Sequence, residues 1–231
     1  LMQNFISKLI LTIVIVSLGN YNSFAQSKAE LLRQIATDKS TTNWLEIKEN
    51  TNLKADELIS IHKKALGLGN DDDLQLLKSK TDNLGIEHKR FQQFYAGVEV
   101  EGAIFVVHEK NGRAEKANGH LSENIEIDVI PSLNEIEALE QALFHIDATA
   151  YAWESENMER ALQIYKNDAE ASFYPTAKLV VLSPDFSPEL TDYQLVYKFD
   201  IYANEPHERW HIYIDAHTGD EILRISQICN L

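Results

Sequence analysis

The sequence predicts an α+β protein of two small tandem units, each a helix followed by an antiparallel sheet. Three features predict this class. Apolar residues recur at helical spacing in two stretches, residues 55–66 and 133–146. Alternating apolar and polar residues follow, most clearly at Tyr193, Leu195, Tyr197, Phe199 and Ile201. Glycine, asparagine and proline then break the alternating runs at turn spacing. A length of 231 residues suffices for one or two ordinary cores, and 44% hydrophobic with 25% charged residues is a globular composition.

The first 25 residues stand apart. Lys8 precedes the apolar run "LILTIVIVSLG", and small residues follow it at Ser23 and Ala25. That is the order of a secretory signal peptide, with cleavage between Ala25 and Gln26. The apolar run falls well short of the ~20 residues a spanning helix needs. The expectation is an exported protein, secreted or periplasmic, with no stable membrane anchor.

The first unit is read as residues 26–130. "SKAELLRQIA" predicts a short helix and "STTNWLEIKENTN" a polar connection. In "ADELISIHKKALGLG", Leu58, Ile61, Ala65 and Leu66 share a helical face and Gly67 suits the end. "GNDDD" predicts a solvated acidic turn, since the alternating ligands and closing Glu of a calcium loop are missing. From Leu74 to about Ile130 the pattern is strands, broken by Gly97, Gly102 and Gly119. Asn111-Gly112 is a hairpin signal, because that turn needs positive φ at both central positions.

The second unit is read as residues 131–231. Ser132 and Glu135 have capping-box spacing, and Leu133, Ile136, Leu139, Leu143 and Ile146 line one face behind them. "ENMERALQIYKN" adds a turn or two of helix, "AKLVVLSP" a strand, and Pro184 and Pro188 bracket a loop. "DYQLVYKFDIYANEP", "HERWHIYID" and "DEILRIS" then predict three strands joined by turns.

Charge excludes one class of partner. The formal net charge is −15, and phosphate binding needs a basic footprint, so nucleic acid is excluded. The acid is uneven: residues 26–128 hold 14 Lys+Arg against 18 Asp+Glu, residues 129–231 hold 6 against 18. The lone Cys229 has no internal disulfide partner.

One stretch, His207-Glu208-Arg209-Trp210-His211, spells the zinc-protease motif. On a helix two histidines four apart rise only ~6 Å and can share an ion at about 2.0–2.1 Å from each nitrogen. Pro206 and the alternating Ile212, Tyr213 and Ile214 predict a strand instead, with the imidazoles ~13 Å apart and Glu208 on the opposite face. The motif is read as a chance match, with no metal, no cofactor and no catalytic residue. Neither a phosphate loop, nor a G-x-S-x-G elbow, nor a C-x-x-C pair occurs elsewhere.

Two stretches carry a resemblance. In residues 88–112, His88, Arg90, Gln92, Gln93, Tyr95, Gly97, Val98, Val100 and Gly102 stand in the order H-x-R-x-Q-Q…Y…G-V-x-V-x-G, with Phe91 and Phe94 in the variable slots. This resembles the signature of the fungalysin/thermolysin propeptide (FTP) domain. In residues 210–223, Trp210, Tyr213, Asp215, Ala216, Thr218, Gly219 and Leu223 resemble the closing hairpin of a PepSY domain, with Asp220 where Glu is commoner. Together the chain is similar to the pro-region of secreted thermolysin-like zinc metalloproteases. The resemblance implies two cystatin-like folds that inhibit a protease catalytic domain and assist its folding, in cis or in trans. The family's catalytic domain is expected after the last PepSY strand, where this sequence ends, so the expectation is a non-catalytic chain. A free-standing exported protein with a regulatory or envelope role is the alternative.

Overall fold

The structure, a computed structural model, describes residues 27–41, 44–183 and 192–228. The predicted signal peptide with its Ala25/Gln26 cleavage, the Pro184–Pro188 loop and Cys229 lie outside the described residues.

Ser27 opens helix α1 (Lys28–Ile35) with a reciprocal cap: its hydroxyl accepts from Glu30 N, and the Glu30 carboxylate accepts from Ser27 N. The short strand β1 (Trp44–Glu46) follows. Helix α2 (Ala55–Ile61) is shorter than the apolar spacing predicted, because Ala65 and Leu66 lie in a separate 3-10 turn that Gly67 closes at φ +84°. A 3-10 turn winds tighter than an α-helix, so the two segments present different faces. Ile61 therefore turns to solvent, while Leu58, Ala65 and Leu66 stay buried.

Strands β2 (Asp72–Thr81), β3 (Ile86–Tyr95), β4 (Val98–Lys110) and β5 (Arg113–Gly119) form an antiparallel meander. Asn111 and Gly112 take positive φ, 53° and 73°, as predicted for that hairpin. The "GNDDD" expectation is corrected: Asp72 is 5% exposed and already on β2. Regular strands also end at Gly119 rather than near Ile130. Residues 120–134 instead run as a strap whose Leu121, Ile125, Ile127 and Val129 pack into successive parts of the core.

Helix α3 (Glu135–Ile146) is capped differently from the expected Ser132/Glu135 pair. Asn134 is the cap, accepting from Ile136 N and Glu137 N, and Glu137 returns to Asn134 N. That moves the buried stripe to Ala138, Leu139, Ala142 and Ile146 and leaves the predicted Ile136 exposed. Small alanines let the helix lie close on the sheet. Strand β6 (Ala150–Tyr151) and helix α4 (Glu156–Lys166) follow, the helix three turns long rather than one or two. Strands β7 (Lys178–Leu182), β8 (Gln194–Glu205), β9 (Glu208–Asp215) and β10 (Glu221–Ser226) complete a second meander.

The fold class is α+β, as predicted, but the two meanders are one sheet. One edge of β4 pairs with β3 along its length; the other is shared between β5 at its C-terminal end and β7 at Glu99 and Val100. The β4–β7 ladder is the parallel one, with Glu99 opposite Val180 and Val100 opposite Val181. Helices α1 and α2 cover one face of the first half over Phe91, Phe105 and Val107. Helix α3 covers the second half over Leu195, Tyr197, Phe199, Ile201, Ile212 and Ile214. Val100, Ala103, Ile125, Val181 and Tyr193 join the two.

Candidate functional site

Most residues of the two sequence motifs have a structural task. Gln92 and Gln93 follow Phe91, so three consecutive residues of β3 are buried. Alternation forbids this in a regular strand, and the ladder to β4 is indeed irregular between Gln92 and Phe94. The Gln92 amide donates toward the carbonyls of Gln93, Val100 and Ala103, closing the bulge where Gly102 sits at φ +76°. Gln93, fully buried, clamps the strap: its Oε1 accepts from Ser122 N at 2.8 Å, and its Nε2 donates to Ser122 O and Asp72 Oδ1 at 2.8 Å. Tyr95 packs against the joining cluster with Val98, after a tight turn at Ala96-Gly97 with φ of 46° and 85°.

His88 stands on the opposite face of the sheet. Its Nδ1 lies 2.6 Å from His108 Nδ1, one ring donating to the other. Its Nε2 is 3.2 Å from Asp82 Oδ2, and His108 Nε2 is 2.7 Å from Asn118 Oδ1. The backbone N–H of Ile86, offset in part by burial, and the bond from His88 hold the Asp82 carboxyl below its usual value. Trp44 stacks on His108 with ring centroids 5.4 Å apart. Arg90 is exposed on this same face.

In the second half, Asp215 builds the turn that follows β9. Its Oδ1 accepts from His217 N at 2.7 Å and Thr218 N at 2.8 Å, an Asx-type cap. Gly219 then takes φ +83°, where an added Cβ would lie 3.2 Å from Gln141 Cγ and 3.3 Å from Leu133 Cδ1. The turn is thus held down on helix α3. Thr218 Oγ1 donates to Asp220 Oδ2 at 2.8 Å, so the Asp in the usual Glu place is used locally. The Arg224 guanidinium lies over the Trp210 ring.

Tyr213 reaches across the seam between the halves. Its hydroxyl donates to Glu101 Oε1 at 3.2 Å, and Lys198 Nζ donates to the same oxygen at 2.6 Å. Burial raises the Tyr213 hydroxyl, with Glu101 adding to it. Burial alone would lower Lys198, but the Glu101 carboxylate outweighs it and the net shift is upward. A second pair, Lys178 Nζ to Glu99 Oε1 at 2.6 Å, spans the seam beside the parallel ladder.

His207 sits in the β8–β9 turn rather than on a strand; Glu208 and His211 are on β9, three residues apart and on opposite faces. Glu208 accepts from Trp210 Nε1 at 2.9 Å, while His211 faces Asp200 Oδ1 at 3.8 Å. Burial, then the Lys198 charge, lowers the His211 imidazole. Among the described residues, no group of three or more His, Cys, Asp or Glu is placed to hold a metal ion. Sequence reasoning missed the partners rather than the motif residues: Asp72 and Ser122 for Gln93, Asp82 and His108 for His88, Glu101 and Lys198 for Tyr213. Two adjacent glutamines inside an apolar strand were the available signal, since a buried amide requires partners.

Residues 72–121 match the Fungalysin/Thermolysin Propeptide Motif, and residues 157–224 match the Peptidase propeptide and YPEB domain. Among solved structures, the chain is similar to the Bacillus megaterium YpeB C-terminal domain at 12% identity, over 84% of this chain and 76% of that one, with a TM-score of 0.34. The chain therefore carries two propeptide-type domains, FTP before PepSY.

Proposed function

We propose that this chain, with an FTP motif and a PepSY domain on one continuous sheet, is the non-catalytic pro-region of a thermolysin-like metalloprotease. It acts as inhibitor and as intramolecular chaperone of the catalytic domain, in cis or in trans. The observation that carries this reading is the tandem order of the two propeptide-type matches. The units 26–130 and 131–231 bind as one body, a reading supported by the shared strand β4 and the Glu101–Lys198–Tyr213 bridge. Inhibition needs only coverage of a cleft and no chemistry from this chain. His207, Glu208 and His211 form a chance match in this reading, supported by the turn and strand that carry them. Export through residues 1–25 delivers the chain to the compartment of such a protease.

The test is direct. The chain from Gln26 onward should inhibit a purified thermolysin-type metalloprotease at micromolar concentration or below and raise the yield when that protease is refolded. Failure in both assays overturns the reading. The alternative reading is a free-standing exported protein with a regulatory or envelope binding role. That reading predicts a partner other than a metalloprotease on crosslinking in cells.

A further inference from the structure

The first half buries one face of its sheet under α1 and α2 and leaves the other open. The register places Lys78 and Lys80 of β2, Arg90 of β3, Lys110 of β4 and Lys116 of β5 on the open face. All five are exposed, and among the described residues none has a carboxylate within ion-pair distance. Lys80, His88, His108 and Lys116 form one cross-strand row, with Lys80 opposite His88, His88 opposite His108 and His108 opposite Lys116. Glu46 on β1 and Asp82 at the β2–β3 turn lie beside them, and Glu115 of β5 is taken by Arg113, the residue opposite Lys110, at 2.8 Å. In a protein of net charge −15, so many unpaired cations on one face are not a by-product of composition.

The same face has the makings of an interface centre. Trp44 is 39% exposed, stacked on His108 and approached by Lys116 Nζ at 5.9 Å from its ring centroid. Ile104 and Val106 are half-buried between the cations. Tryptophan and arginine are the residue types that dominate binding energy at protein interfaces. Five strands at about 4.8 Å spacing make the platform about 20 Å wide, against an edge of about 28 Å for a square footprint of the ~800 Å² a standard partner covers.

The geometry points to this open, basic sheet face of the FTP half as the docking surface for an acidic patch on the protease catalytic domain. This rests on the pro-region reading above and adds which face binds and the sign of its partner. The occupant is a folded protein with a local acidic patch. Screening within about 8 Å at physiological salt lets such a patch meet the platform without meeting the acidic second half.

The experiment compares three chains as inhibitors of one thermolysin-type metalloprotease across a salt series. They are wild type, a face variant (K78E, K80E, R90E, K116E) and a control of the same net charge (K39E, K64E, R160E, K166E). Circular dichroism and melting show that each is folded. A milder face variant with glutamine at the same four positions guards against loss of fold. The expected result is inhibition weakened at least about 10-fold by the face substitutions, with loss of salt dependence, and little change in the control. Equal inhibition by wild type and both face variants overturns the docking surface and leaves the pro-region reading standing. No inhibition by wild type overturns both. If the face substitutions instead abolish binding to phosphatidylglycerol vesicles or salt-sensitive self-association, with inhibition unchanged, the face belongs to lipid or to a second copy.

Discussion

The two halves of the sheet are specified by different chemistry. The first holds its fold with buried polar groups: Gln92, Gln93, Asp72, Ser122 and Glu109 are each at most 5% exposed. Glu109 accepts from Ala55 N at the start of α2 and pairs with Lys89 at 3.0 Å, so a buried carboxylate ties that helix to β4. The second half is held by apolar alternation on β8 and β9, from Leu195 to Ala203 and from Ile212 to Ile214. Apolar burial is non-directional and tolerates small shifts, whereas a buried amide accepts only partners in hydrogen-bond geometry. The difference teaches that in the first half the glutamine pair adds register and the strap's position to an apolar core, while in the second half apolar alternation alone lines the sheet.

The largest effect should break the second half. Phe199→Ala leaves a cavity at a residue 1% exposed and is expected to cost about 3–5 kcal/mol in urea unfolding. Gln93→Ala should follow at about 2–4 kcal/mol, because Ser122 N and O and Asp72 Oδ1 all lose their bond to the amide, leaving Asp72 only the Gly69 N–H. If Gln93→Ala costs no more than an exposed substitution, the contrast between the halves fails.

A smaller effect sharpens the seam. Glu101→Ala removes the shared acceptor of Lys198 and Tyr213 and is expected to cost about 1–3 kcal/mol. It should also split one unfolding transition into two if polar contacts carry the coupling, because the links that remain are the two-residue β4–β7 ladder, the Glu99–Lys178 pair and the small apolar joint around Val100 and Val181. A single transition in scanning calorimetry of that variant would show that the apolar joint couples the halves alone.

The smallest effect is on pH. Burial lowers His62 and His120 in the first half and, with Lys198 adding, His211 in the second. The folded state then binds fewer protons than the unfolded one in this range, so stability rises with pH. The contribution is present in full above the unfolded value of about 6.5 and is lost as pH falls through the lowered folded values. Melting temperature should drop between pH 7.5 and 5.5, and Gln at either His120 or His211 should flatten part of that drop. An unchanged slope in both variants would remove the histidines from the account.

The helix of residues 28–35, the Asn111-Gly112 hairpin and the β8 strand were legible because each rests on local chemistry: a cap, a turn conformation, an alternation. The expected Ser132 cap was wrong by two residues because the 216–217 turn takes both its groups, Ala216 O accepting from Ser132 N and His217 Nδ1 lying 3.2 Å from the Ser132 hydroxyl, leaving Asn134 to cap α3. Asp72 looked like a turn residue because nothing nearby in sequence announces Gln93 as its partner.

By itself, the sequence determined the fold class, the motif residues and the total charge, since composition, periodicity and turn chemistry act between near neighbours along the chain. Only the tertiary structure decided that both meanders share β4, that Glu101 reaches Lys198, and that five scattered cations meet on one face. Those arrangements depend on strand register between residues tens of positions apart, and alternation along one strand does not say which other strand it will meet.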